Sequence, residues 1–325
     1  MQSNVNISVV MGVYNAAAVL SATVESILSQ EGVAFEFIIV NDGSKDESGH
    51  MLEEYAGRDH RIRIIHQKNQ GLTKALIKGC AEAKGEYIAR QDAGDISLPG
   101  RLRRQQEAFD ANPGLVFISC WTEFCGPAGE FLFLAKGTGR ASEPTDILDN
   151  ENEKGVIDGP ASHASVMFRR NAYSKAGEYR PEFYYAQDWD LWYRMAEIGK
   201  FQMLEQTLYR MMLTPGSISA NNCNKQRITG QLARDALQLR MNGLSEEVVL
   251  NKAKLIRPGK NNSGSKASDA AWLYFIGECL RRNSDTRAYA YLKKSIAKNP
   301  LSPKPWIRIL QMLFSLITRR QSSRP

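Results

Sequence analysis

Four carboxylates, one histidine and a tyrosine-asparagine pair are the residues of this chain best placed to do chemistry. Asp42 stands after the apolar run Phe35–Val40 and before Gly43-Ser44. A carboxylate there matches the imide N–H of a uracil or thymine base, and it is equally a turn or cap residue. Tyr14 either stacks on such a base or is a rim aromatic. Asp92 and Asp95 flank Ala93-Gly94. Carboxylates in that position suit a hard divalent cation bridging a diphosphate; otherwise one caps the helix starting near Leu98 and the other is solvated. Asp188, within Gln187-Asp188-Trp189-Asp190-Leu191-Trp192, sits where a helix begins. It is either a general base for an attacking hydroxyl or an N-cap. His163, one of four histidines, precedes Ala164-Ser165-Val166-Met167-Phe168; it is a hydrogen-bonded structural residue or a ligand contact.

The elements that must position these groups are legible over the first 120 residues. Ile7–Val13 is an apolar run ending at Tyr14-Asn15, and Leu20, Val24, Ile27 and Leu28 mark one face of a following helix. Phe35–Val40 ends at Asn41-Asp42-Gly43-Ser44, and Ile62–Ile65 leads to Gly71-Leu72 and a helix through Ala83. Tyr87–Ala89 ends at Gln91-Asp92-Ala93-Gly94-Asp95, and Leu115–Cys120 reads as another strand. Near-continuous apolar strands alternating with helices predict a parallel sheet covered on both faces. Ligands bind outside the carboxyl ends of such strands, where Tyr14-Asn15, Asp42 and Asp92/Asp95 all fall. Further on, Ser165–Phe168 reads as a strand and Asp188–Ile198 as a short helix.

From Asn224 onward the pattern is helical, broken by a Gly-, Asn-, Ser- and Lys-rich loop at Pro258–Ser268. Trp272–Arg282 and Thr286–Asn299 form a helix pair resembling a tetratricopeptide unit, one residue short in spacing. Charge divides the chain the same way. Residues 1–220 carry 22 basic and 29 acidic side chains, whereas residues 221–325 carry 20 and 6. This predicts two regions, 1–222 and 223–325, the second basic and suited to an anionic partner. Five scattered cysteines without a Cys-x-x-Cys pair argue for reduced thiols rather than disulfides or zinc. No run nears the ~18 apolar residues of a spanning helix, and the polar start Met1–Asn6 carries no secretory pattern. A cytoplasmic location is expected.

Taken in order, six blocks resemble the family 2 glycosyltransferases, inverting sugar-nucleotide enzymes with a GT-A fold. They are Val9–Asn15, Ile39–Ser44, Asn69–Leu72, Gly85–Arg104, His163–Arg169, and Gln187–Trp192 with Tyr209-Arg210. The resemblance covers roughly residues 5–220. It implies a GT-A, Rossmann-like, mostly parallel sheet with helices on both faces, followed by the all-α basic region. It also implies that Tyr14 and Asp42 hold the nucleotide base, with Asn15 in the same nucleotide site and Asp92 at the ribose and diphosphate. Asp188 would be the catalytic base, and His163 and Trp189 would line the acceptor or donor-sugar pocket. Transfer of a hexosyl group from a UDP- or dTDP-sugar to a saccharide or lipid-linked acceptor, in bacterial surface polysaccharide synthesis, is the implied activity.

Three departures bear on the cofactor. The family commonly reads Asp-Ala-Asp-Asp where this chain has Asp92-Ala93-Gly94-Asp95, so a divalent cation (Mn²⁺ or Mg²⁺) would fall to Asp92 and Asp95. Gln187 replaces a common Glu beside Asp188, which removes a charge that would raise its pKa. No His follows Tyr209-Arg210. The segment Trp306–Ile317, flanked by Lys304 and Arg319-Arg320, is either an interfacial helix on an anionic membrane, making the protein peripheral, or a helix packed on the preceding pair. The competing reading is a degenerate sugar-nucleotide-binding scaffold with a helical interaction module. Missing Gly-rich fingerprints disfavour pyrophosphorylases and dehydrogenases, and no module supports nucleic-acid binding.

Overall fold

The computed structural model describes residues 5–136, 159–214, 223–258 and 266–322, with side chains in the last helix described as far as Phe314. Most of the Pro258–Ser268 loop, Met1–Asn4, and the side chains of Cys223, Arg319 and Arg320 lie outside the described residues.

The first half alternates strand and helix as its periodicity requires. β1 (Ile7–Val13), α1 (Ala17–Leu28), β2 (Phe35–Asn41), α2 (Ser48–Arg58), β3 (Ile62–His66), α3 (Leu72–Ala81) and β4 (Tyr87–Asp92) come first. They are followed by β5 (Ile96–Ser97), α4 (Arg101–Ala111), β6 (Leu115–Cys125) and β7 (Phe131–Ala135). After a 3₁₀ turn at His163–Ser165 come β8 (Met167–Arg169), α5 (Arg170–Lys175), α6 (Gln187–Ala196) and β9 (Lys200–Met212). The remaining described helices are α7 (Cys223–Met241), α8 (Glu247–Leu255), α9 (Lys266–Arg282), α10 (Ala288–Lys298) and α11 (Pro303–Ser322).

The nine described strands form one sheet in the order β3-β2-β1-β4-β8-β6-β9-β5, with β7 pairing β6. β3, β2, β1 and β4 run parallel, whereas β8 is antiparallel to both β4 and β6. The register sets Val13 beside Asn41, Asn41 beside His66, and Gly12 beside Asp92. All four strands therefore finish at nearly one level, so the residues just past them share one edge. Successive residues of β1 bury on opposite faces: Val10 joins one core cluster, with Ile38, Leu76 and Phe168, while Val9 and Met11 join another, with Val24, Phe37 and Ile39. Burial on both faces is why these strands read as unbroken apolar runs.

Three parts of the sequence reading change. The strand expected at Ser165–Phe168 is shifted to Met167–Arg169, because His163–Ser165 turns as a 3₁₀ helix capped by the Ser162 hydroxyl. β5, β7 and the 13-residue β9 were not anticipated. The division at 222/223 also moves. Cα packing gives one unit of residues 1–122, 135–211 and 224–257, and a second of 123–134, 212–223 and 258–325. α7 and α8 thus belong with the sheet. Ala233, Leu237 and Ala253 enter its core cluster, and Arg240 and Arg180 both pair with Glu246. In the second unit, α9 and α10 pack as the expected pair around Leu132, Ile276, Leu280 and Ala288. Among the described cysteines, Cys80, Cys120 and Cys125 are buried and Cys279 is half-buried. No described helix is long and apolar enough to cross a membrane.

Candidate active site

At the β1–β2 edge, Tyr14 is 48% exposed and its ring is open to solvent. Asn15 adopts φ 50°, the left-handed conformation that Asn tolerates better than most residues. Its Oδ1 accepts the Lys45 amide at 2.8 Å, and its own amide donates to Ser44 Oγ at 3.0 Å. Asn15 therefore stitches the end of β1 to the loop after β2.

Asp42 is buried, and three donors reach its carboxylate: Gln67 Nε2 at 2.7 Å and the Gln70 amide at 2.9 Å on Oδ1, and the Gly71 amide at 2.8 Å on Oδ2. A carboxylate has about four acceptor positions, so one on Oδ2 remains. Gly71 has φ 90°, and a Cβ there would lie 2.7 Å from the Tyr184 ring. That glycine is required by backbone and neighbour alike. Asp42 is thus both a loop lock and an acceptor with one vacancy.

At the end of β4, Asp92 Oδ1 accepts a 2.6 Å charged hydrogen bond from Arg90 Nη2. The Tyr209 hydroxyl donates to Asp95 Oδ2 at 3.0 Å, and Asp95 is buried. Gly94 has φ 103°, a conformation L side chains rarely adopt. Among the described residues no group of three or more His, Cys, Asp or Glu side chains could hold a metal. Toward a divalent cation the protein offers few oxygens: one oxygen of Asp92 is taken by Arg90, Asp95 is tied to Tyr209, and Gly94 supplies no ligand.

Asp188 is the second residue of α6, which follows Ala186 in the left-handed conformation at φ 54°. Its Oδ1 accepts the Trp189 amide at 3.0 Å, but the N-cap position belongs to Ala186, so Asp188 is not the N-cap. No donor from another element reaches the carboxylate among the described residues. Burial pushes its pKa from the ordinary 3.8 up to about 6, against the pull of the helix-start amides, and the negative Asp92 adds to the rise. Burial rather than the residue at 187 governs this group. An aspartate so placed is ionised at neutral pH yet basic enough to take a proton.

Between Asp92 and α6 lies a group the sequence did not reveal. Arg90 is fully buried and donates through Nη1 to the Val10 and Gln91 carbonyls at 2.8 and 3.0 Å. Its Nε reaches His163 Nε2 at 3.4 Å, and the same imidazole nitrogen lies 2.7 Å from the Tyr179 hydroxyl. Burial, then the Arg90 charge, holds the His163 pKa well below 6.5, so the ring is neutral. Burial likewise keeps the Tyr179 and Tyr209 phenols protonated. A second buried arginine, Arg101, donates to the carbonyls of Arg90 and Ala164, each at 2.8 Å, and its guanidinium lies 4.8 Å over the Tyr209 ring. Trp189 packs edge-on to Trp192 at 5.0 Å and remains half-buried.

The structure thus ties Asp92 to His163 through Arg90, with Asp188 in electrostatic reach of Asp92, Arg90 and Tyr179, and places Tyr14, Asn15 and Asp42 along the same sheet edge. An arginine two residues before an aspartate, inside an apolar strand, was the available clue to Arg90. Tyr179 and Tyr209 carried none.

The sequence pattern of "Glycosyl transferase family 2" matches residues 8–177. EpsE of Bacillus subtilis (strain 168) is 31% identical over 218 residues, covering 65% of this chain and 74% of EpsE. Chondroitin synthase of Pasteurella multocida (strain Pm70) is 25% identical over 221 residues, covering 68% of this chain but 22% of that longer protein. The crystal structure of S. aureus TarS 1-349 in complex with UDP aligns with a TM-score of 0.57 at 15% identity, over 90% of this chain and 88% of TarS 1-349. At that identity the likeness shows the fold, which is GT-A.

Proposed function

Because the chain belongs to glycosyl transferase family 2, we propose that it moves a hexosyl group from a UDP- or dTDP-sugar to a hydroxyl of a saccharide or lipid-linked saccharide. The observation that carries this reading is the half-buried Asp188, with a pKa near 6, in the electrostatic reach of Asp92. In the proposed step the acceptor O–H gives its proton to the Asp188 carboxylate. The freed oxygen pair forms the bond to the anomeric carbon while the carbon–oxygen bond to the diphosphate breaks, and those electrons leave on the diphosphate. Displacement from the opposite face inverts the centre. The base is assigned to Asp42 and Tyr14 at the β1–β2 edge, with Asn15 setting the loop between them and Asp92 meeting the ribose and diphosphate. Trp189 is assigned to the sugar pocket wall. The chondroitin synthase relationship supports polysaccharide synthesis as the setting.

Turnover of a panel of UDP-, dTDP- and GDP-sugars, with Mn²⁺, Mg²⁺ or chelator, tests the reading against an Asp188→Asn variant. The variant should lose about 10²–10⁴-fold in rate. Unimpaired turnover would remove Asp188 from its role, and nucleotide binding without turnover of any donor would favour the sugar-nucleotide-binding scaffold.

The membrane face of the proposal rests on α11. Pro305 and Ile309 are buried in the second unit, whereas Trp306, Ile307, Leu310, Leu313 and Phe314 are exposed. At 100° per residue these five span one stripe about 120° wide, beside the buried Pro305 and Ile309. With Lys304 and the basic C-terminal sequence beside it, the stripe suits an anionic lipid surface on the cytoplasmic side. Full-length protein should co-sediment with anionic liposomes, and a chain ending at Pro303 should not. Equal retention of both refutes the assignment.

A further inference from the structure

His163 stands where three observations converge. Arginine has no acceptor, so the contact from Arg90 Nε requires His163 Nε2 to carry a lone pair. The Tyr179 hydroxyl, 2.7 Å away, must then donate to the same atom. The ring proton is left on Nδ1. Nδ1 has no partner among the described residues, and it is absent from the unpartnered polar atoms sealed from solvent. The ring also sits between the two halves of the site: Arg90, its partner on one side, binds Asp92, while Trp192 of α6, the helix carrying Asp188, lies 6.1 Å away on another. A transferred sugar must lie between the diphosphate and the base, and this imidazole is linked to Asp92 on one side and packed on the helix of Asp188 on the other.

We propose that His163 binds the sugar of the donor through an uncharged Nδ1–H hydrogen bond to a sugar oxygen, and that Arg90 is the positioning residue that fixes this tautomer. The proposal rests on the glycosyl-transfer reading of the same site. Arg90 does this because it cannot be turned or neutralised. Its Nη1 is tied to Val10 and Gln91 carbonyls and its Nη2 to Asp92, so Nε–H can only be presented to His163. Tyr179 alone would not choose a tautomer, since a hydroxyl accepts from an imidazole N–H as readily as it donates to a bare nitrogen. Burial and the adjacent Arg90 charge keep the ring neutral.

The tautomer is read directly by long-range ¹H–¹⁵N correlation of histidine-labelled full-length protein, where only four histidines appear and His163→Asn identifies the signal. Wild type and Tyr179→Phe should both show protonated Nδ1 and bare Nε2. Arg90→Met should populate the Nε2–H form. A structural role for Arg90 alone would leave the tautomer unchanged where the variant folds; if it does not fold, the wild-type and Tyr179→Phe spectra still decide. A predominant Nε2–H signal in wild type overturns the proposal.

The ligand is tested by titrating the donor that supports turnover against its parent nucleoside diphosphate. His163→Leu should weaken binding of the sugar nucleotide about 3–10-fold, the worth of one neutral hydrogen bond, and leave the nucleoside diphosphate unchanged. His163→Asn, whose amide N–H overlays Nδ1, should recover most of that loss. Equal weakening of both ligands would move the contact to the diphosphate and overturn the sugar assignment. Failure of wild type to bind any sugar nucleotide would overturn the underlying glycosyl-transfer reading. An Nε2–H ring with donor binding intact would overturn this proposal alone.

Discussion

Replacing Asp188 with Asn should make the protein inactive and more stable, and the gain should depend on pH in a defined direction. In the folded chain the carboxyl titrates near 6, whereas its ordinary value is 3.8. Between these values the folded state holds a proton that the unfolded chain has already released. Stability contributed by that proton is complete below about pH 4 and falls as pH rises through 6, levelling off above. Two pKa units correspond to about 3 kcal/mol, and water at the half-buried carboxylate reduces this to about 1–3 kcal/mol. Asn keeps an acceptor for the Trp189 amide but carries no charge to desolvate. Denaturant unfolding of wild type and variant at pH 4.5 and pH 8 isolates the effect, because other titrating groups cancel in the difference. The variant's advantage should grow by about 1–2 kcal/mol between the two conditions. An advantage independent of pH, or one that shrinks as pH rises, would refute the claim that burial raises this carboxyl. The same pKa predicts kcat/KM rising about tenfold per unit below pH 6 and flattening above it.

Ala186→Gly should raise thermal stability slightly, by about 0.5–1 kcal/mol, because φ 54° strains an alanine more than glycine's extra entropy costs; a lower Tm refutes it. Asp42→Asn should destabilise by about 1–3 kcal/mol, since an amide NH₂ accepts nothing and the one remaining oxygen cannot serve the Gln67 side chain and the Gln70 and Gly71 amides together; denaturant unfolding reads the loss. Nucleoside diphosphate affinity measured calorimetrically in Mn²⁺ and in chelator should differ by less than about tenfold, under ~1.4 kcal/mol, because the carboxylates beside Gly94 are already engaged. Gly94→Asp should cost about 1–2 kcal/mol at φ 103° without creating tight cation binding; a large gain in Mn²⁺ affinity would contradict this.

The first four strands and the positions of Asp42 and Asp92 were legible because parallel strands buried on both faces leave unbroken apolar runs, and polar residues at their ends stand out. β9 was not. Its 13 residues include Lys200, Gln202, Glu205, Gln206 and Thr207, and much of the strand is half-buried or exposed. β5 has two residues, too few for any period. The charge boundary near 222 misplaced α7 and α8, since net charge describes a surface while Ala233, Leu237 and Ala253 decide which core a helix joins. Within the site, Asp188 was visible from its place at a helix start. Its relation to Arg90, His163 and Tyr179 was not, because hydrogen bonds spanning 73 residues leave no local spacing.

The two buried guanidiniums beneath the site also act on folding itself. Arg90 and Arg101 together donate to carbonyls of Val10, Arg90, Gln91 and Ala164, atoms drawn from neighbouring strands and the 3₁₀ turn beside them. A slip of β4 by one residue would turn Arg90 to the other face and leave a charge buried among apolar side chains. An uncompensated buried charge costs several kcal/mol, comparable with the whole stability of a domain. Misregistered sheets are therefore disfavoured by that cost. The arginines serve as proofreaders of strand alignment, and the level line of strand ends along which the active site is laid out is the product of that selection.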